Sequence, residues 1–123
     1  MRIGELAART GASVRSLRYY EEQGLLTSTR SSGGQRHFTE GDIDRVDFIQ
    51  RLYTAGLSSR TIMELMPCRD APSDDNSEAA LERMAQERDR LSAHIEELLN
   101  TRDSLDGLIS AARADRDARR TAA

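Results

Sequence analysis

The chain has 123 residues, 4% of them aromatic and 32% charged, with no tryptophan and a formal net charge of −3. This size and composition rule out a generous single core, and chains of this kind often bury further surface by oligomerising. One cysteine cannot make an intrachain disulfide framework. No apolar run approaches the roughly 18 residues that span a bilayer, and no signal peptide opens the chain, so a cytoplasmic protein with no membrane partner is expected.

The charge is unevenly spread. Residues 1–38 carry six arginines against three acids, whereas residues 61–123 carry nine against fourteen. A basic N-terminal third suits an anionic partner, although chance in a short segment explains it as well. All eighteen basic residues are arginine. Coding bias accounts for that, and arginine's planar fork also suits phosphate.

Ile3, Leu6 and Ala7 recur at helical spacing and predict a short amphipathic helix ending at Thr10-Gly11. Ser13 is placed to cap a second helix, closed by Gly24. Two short helices joined by a glycine turn fit a helix-turn-helix, and fit any other αα-hairpin too. On the second helix Arg15, Arg18, Tyr19 and Glu22 share one face, while Leu17 and part of Tyr20 turn inward with Val14 between. An outward Arg-Arg-Tyr face suits a helix that enters a DNA groove. It equally suits a solvated face on which Glu21 and Glu22 pair with and neutralise the arginines at helical spacing.

Residues 27–38, "TSTRSSGGQRHF", predict a β-ribbon with a two-residue turn at Gly33-Gly34. A flexible loop is the alternative. Arg30, Arg36 and His37 on that ribbon sit where a wing would grip a DNA backbone. Thr39 and Asp42 match a capping box, and the helix they start carries Ile43, Val46, Phe48 or Ile49, Leu52 and Tyr53 before stopping at Ala55-Gly56. Ser58 caps a further helix with Ile62, Leu65 and Met66, which Pro67 is expected to end.

Residues 67–77, "PCRDAPSDDNS", read as a linker. From Glu78 to Arg116 a heptad runs through Leu81, Met84, Arg88, Leu91, Ile95, Leu98, Arg102, Leu105, Ile109 and Ala112, with arginine at two seam positions. At about 1.5 Å per residue this is a rod of roughly 55 Å. Its stripe is too narrow for a globular core, and pairing with a second copy is the favoured use, with a fold-back on the N-terminal domain the alternative. Residues 117–123 are expected to fray.

These residues resemble the MerR family of bacterial transcription regulators. The resemblance lies in "IGELAARTGASVRSLRYYEEQGLL", "TRSSGGQRHFTEGDIDRVDFIQRLYTAGLS" and "TIMELM", over roughly residues 2–66. It implies a mainly α fold in which a winged helix-turn-helix (1–66) is followed, after the linker, by a helix (78–116) that forms an antiparallel coiled-coil homodimer. It further implies a sequence-specific regulator, not an enzyme, that binds double-stranded promoter DNA with an overlong spacer. Bending and untwisting that spacer lets RNA polymerase engage both promoter elements.

The DNA-facing set is then Ser13, Val14, Arg15, Ser16, Arg18, Tyr19 and Tyr20 on the second helix, with Arg30, Arg36 and His37 on the wing. The dimer set is Leu81, Met84, Leu91, Ile95, Leu98, Arg102, Leu105 and Ile109. Two positions depart from the family pattern: Phe38 replaces the usual wing tyrosine, and Ser59 replaces a hydrophobe after the Gly-Leu-Ser turn. Drug-sensing members append a ligand domain and metal-sensing members carry cysteines flanking a loop after the dimer helix. Neither feature is expected here, and no cofactor or metal is called for. Cys68 is open to three readings: an ordinary linker cysteine, a redox or electrophile sensor, or a metal ligand shared with a partner's Cys68 or His94. An architectural or adaptor protein that binds DNA without an effector is the alternative function.

Overall fold

The computed structural model describes residues 1–122. In chain order its elements are α1 (Ile3–Thr10), α2 (Val14–Glu22), β1 (Thr29–Arg30), β2 (Arg36–His37), α3 (Gly41–Thr54), α4 (Ser59–Asp70) and α5 (Asp74–Ala122). The fold is mainly α, as expected. The chain divides into two units, Met1–Leu81 and the residues from Glu82 onward.

In the first unit, α1 packs against α2 and α3, and α3 against α4. Leu6, Leu17, Leu25, Val46, Ile49 and Ile62 meet at its centre with no solvent exposure. Each is worth roughly 1.5–3 kcal/mol of burial, so a few local helices suffice for a small core. Phe38 joins them at 3% exposure, so the ring keeps its packing role without the family's hydroxyl. Its backbone N–H donates to the Met1 carbonyl at 2.7 Å, and the Met1 amino group donates to the Phe38 carbonyl at 2.7 Å. Arg9 reaches Glu40 at 2.7 Å, and that hydrogen bond holds the Glu40 carboxyl below its ordinary range.

The expected helix boundaries of the helix-turn-helix hold. Gly11 takes φ 77° and its N–H donates to the Ala7 carbonyl. Ser13 accepts from the Ser16 N–H at 3.0 Å. Gly24 takes φ 76°, and a Cβ there would meet the Met63 methyl at 3.0 Å, so glycine answers both a left-handed backbone and a close approach.

Several expectations are corrected. The ribbon is antiparallel with Thr29 opposite His37 and Arg30 opposite Arg36, and the Ser31 N–H donates to the Gln35 carbonyl. The loop is therefore Ser32–Gly34, three residues rather than two, and Gly34 alone of the pair takes a positive φ, 79°. This is the three-residue hairpin that ends in a left-handed residue. At α3 the capping box is half formed: Asp42 Oδ2 accepts from the Thr39 N–H at 2.8 Å and from its hydroxyl at 3.3 Å.

Pro67 does not end α4, which runs on to Asp70. The turn beyond it is held from outside. Arg45 donates to Asp70 at 2.7 Å and to the Leu25 carbonyl at 2.6 Å. The Asn76 amide donates to the carbonyls of Ala71 at 2.6 Å and Pro67 at 3.4 Å. The non-helical break is thus residues 71–73, shorter than the expected 67–77. Ser73, read as linker, caps α5 through the Asn76 N–H at 3.0 Å, with Asp74 and Asp75 favourably placed in the first turn.

The second unit is one continuous helix through Ala122. Its heptad leucines and isoleucines lie bare: Leu91 is 54% exposed, Leu98 55% and Leu105 54%.

Candidate nucleic-acid interface

The α2 helix has one greasy face and one charged one. Leu17 is fully buried and Tyr20 is 7% exposed, more completely buried than a half-buried ring. Val14 and Ser16 are half-buried, and Ser13, Arg15, Arg18 and Tyr19 are exposed. The wheel's separation of the two tyrosines holds.

Among the described residues Arg15 and Arg18 have no ion-pair partner. Helical spacing offers Arg18 two acids: Glu21 at i+3 accepts instead from Ser28 Oγ at 3.2 Å and from Arg36 Nη1 at 3.5 Å, and Glu22 at i+4 stands exposed without pairing with it. The solvated-face reading needed Arg–Glu pairs along α2, and they are not made. Two unpaired guanidinium groups one turn apart form a ready site for anionic oxygens or guanine edges.

The three tyrosines form one group. Tyr20 stacks on Tyr53 with centroids 5.5 Å apart and planes 16° from parallel, and Tyr19 tilts against the same ring at 6.4 Å and 44°. Burial, with a smaller contribution from Tyr53, raises the Tyr20 hydroxyl above its ordinary pKa. The Tyr19 hydroxyl lies 3.2 Å from Ser59 Oγ, which also hydrogen-bonds the Tyr53 hydroxyl. Sequence reasoning placed Tyr53 on a core stripe and Ser59 among the family departures. It did not bring either to α2, because a contact across 40 positions leaves no periodic signal.

The wing residues stand differently from one another. Arg36 is exposed but tethered to Glu21, which ties the ribbon to the end of α2. Arg30 donates to the Gly34 carbonyl at 2.9 Å and braces the loop. His37 is half-buried, its carbonyl accepting weakly from Thr29 Oγ1 at 3.4 Å. Glu21 is the residue that sequence reasoning undervalued, since it counted there only as a neutraliser of nearby arginines.

Cys68 is free and half-buried on α4. Among the described residues no group of three or more His, Cys, Asp and Glu side chains is placed to hold a metal ion, and no helix is long and apolar enough to cross a membrane. A shallow groove of about 870 Å³, lined by residues including Asp44, Phe48, Arg51 and Arg69, involves none of the α2 or wing residues.

Known proteins resemble this chain in sequence and fold. The family model for MerR HTH family regulatory proteins matches residues 1–67, and that for MerR, DNA binding, matches residues 43–108. The HTH-type transcriptional regulator ZntR of Escherichia coli is 32% identical over 108 residues, covering 87% of this chain and 77% of ZntR. The nodulation protein NolA of a Bradyrhizobium strain is 40% identical over 97 residues, 73% of this chain, and the chain spans only 41% of NolA's length. The crystal structure of HiNmlR, a MerR family regulator lacking the sensor domain and bound to promoter DNA, superposes with a TM-score of 0.60 at 28% identity over 84% of this chain and 78% of that one. With both family models matched over a folded helix-turn-helix whose second helix leaves Arg15 and Arg18 unpaired, the chain belongs to the MerR family and is a DNA-binding transcription regulator, not an enzyme.

Proposed function

We propose that this regulator is a cytoplasmic homodimer that recognises a specific promoter with an overlong spacer and acts by bending and untwisting it, so that RNA polymerase engages both promoter elements. Residues 1–66 read the DNA and residues 78–116 join the two subunits as an antiparallel coiled coil. The observation that carries the reading is the unpaired state of Arg15 and Arg18 beside an engaged Glu21. Water alone satisfies an exposed guanidinium, so the open arginines point to DNA because they stand on the second helix of a matched MerR helix-turn-helix. Arg15, Arg18 and Tyr19 are assigned to base edges and phosphates. Ser13, Val14, Ser16 and Tyr20 line or support that face. Arg36, Arg30 and His37 are assigned to the backbone beside it, with Arg36 exchanging Glu21 for a phosphate.

The dimer assignment is supported by Leu81, Met84, Leu91, Ile95, Leu98, Leu105 and Ile109, which lie between 38% and 57% exposed along one seam, with Arg102 among them. Burying the exposed half of such side chains against a second copy is worth about 1 kcal/mol each. The complex of HiNmlR with promoter DNA supports the choice of ligand.

Footprinting on the promoter of the protein's own gene tests this reading. The expected result is two protected half-sites flanking a spacer whose central steps become hyper-reactive to cleavage, the mark of distorted DNA. Diffuse coating with no fixed boundaries would replace it with an architectural role.

A further inference from the structure

Ser59 departs from its family's pattern, where a hydrophobe is usual, and this chain puts the resulting hydroxyl to use. It stands in the first turn of α4 and hydrogen-bonds the hydroxyls of both Tyr53 and Tyr19. We propose that Ser59 is a positioning residue for a DNA-backbone contact: with Tyr53 it forms a hydroxyl relay that fixes the Tyr19 hydroxyl and leaves its proton free for a phosphodiester oxygen. The inference rests on the reading of α2 as the DNA-facing helix and adds two residues to it that lie on α3 and α4.

Proton counting gives the relay its direction. Three hydroxyls carry three protons, and the two hydrogen bonds between them use two. One proton is left for an outside acceptor. Tyr53 is half-buried, whereas Tyr19 is 45% exposed and stands on the arginine face. An anionic phosphate oxygen accepts and cannot donate, so it selects the order Tyr53 to Ser59 to Tyr19, with the spare proton at the exposed end. A hydrogen-bond chain of this kind polarises its last donor. Tyr53 also holds the Tyr19 ring at 6.4 Å and 44°, so ring and hydroxyl are both placed before DNA arrives, and less ordering is lost on binding. A hydrophobe at position 59 would keep the ring contact and lose the relay.

The test is a set of promoter-binding titrations with the full chain carrying Ser59→Ala, Ser59→Thr, Tyr19→Phe, or both Ser59→Ala and Tyr19→Phe, with Arg18→Ala as control, each over a range of salt. Ser59→Ala should weaken binding about fivefold per subunit, the size of one net hydrogen bond. Ser59→Thr should restore it. Because a neutral hydroxyl releases no counterion, the loss should be the same factor at every salt concentration, whereas loss of a phosphate-bound arginine flattens the salt dependence. In the Tyr19→Phe background Ser59→Ala should cost nothing further.

A DNA series with single methylphosphonate linkages should contain one position that weakens the wild type and leaves Ser59→Ala unaffected. Unchanged binding by Ser59→Ala, while Arg18→Ala is impaired, would overturn the relay and leave the DNA-facing assignment of α2 standing. A loss that persists in full in the Tyr19→Phe background, or that changes the salt slope, would show that Ser59 acts through the fold of α4 and would also overturn it. If Arg18→Ala too binds as the wild type, the DNA-facing assignment fails and the relay with it.

Discussion

The two units of this chain solve the burial problem in opposite ways. In residues 1–81 the large aliphatic side chains of four short helices find one another, and Leu6, Leu17, Val46, Ile49 and Ile62 lose all exposure. From Glu82 on, a helix with comparable leucine and isoleucine content buries none of them, and Leu108 is 67% exposed. A single helix has no second surface to close upon, so its bare stripe supports the proposed dimer, whereas the core of the first unit is information about itself. The charges divide the same way. In the first unit acids are drawn into structure, Asp70 by Arg45 and Glu21 by Arg36, and α2 is left with open arginines. In the second unit the pairs run along a single helix, such as Arg83 with Glu87 at 2.7 Å, four residues apart.

The contrast can be broken most forcefully at the bare seam. Leu98→Glu should abolish the dimer in sedimentation velocity and operator binding with it, while the circular dichroism of the first unit is retained. Arg18→Ala should do the reverse. Specific DNA affinity should fall by about 1–3 kcal/mol in a titration against the promoter fragment, with the sedimentation coefficient unchanged.

A third test concerns the first unit alone. Burial raises the folded-state pKa of Tyr20 above its unfolded value, so its contribution to stability is complete below about pH 10. That contribution is lost as pH rises through the folded-state value. Tyr20→Phe should therefore flatten the alkaline limb of the pH–stability curve and leave neutral pH nearly unchanged, measured by denaturant melts at a series of pH values. The smallest effect belongs to the second unit. A Cβ at Gly107 meets nothing within 4 Å, so Gly107→Ala should raise the melting free energy by about 0.5–1 kcal/mol by removing helix-interior glycine.

What the sequence discloses follows its range in the chain. Ser13, Gly11 and Gly24 act within four or five residues, so the helix ends they set are readable directly. The wheel that separates Tyr19 from Tyr20 needs only helical geometry, and the heptad needs only counting. The departures arise where distant residues decide. Pro67 reads as a helix stop until Arg45 and Asn76 brace the turn beyond it. Which glycine of Gly33-Gly34 turns left-handed depends on the strand register, set by the pairing of Thr29 with His37. Ser59 reads as a minor flaw until the fold sets it against two tyrosines. Glu21 reads as a local neutraliser until the ribbon folds back and Ser28 and Arg36 occupy it.

The division of labour between the units is tested most directly by the mass of the complex formed on one promoter fragment, read by sedimentation equilibrium for the wild type and for Leu98→Glu. The account predicts two chains of 13.7 kDa on each duplex for the wild type and no specific complex for the variant. A single chain bound per duplex, or an unaltered complex with Leu98→Glu, would contradict it.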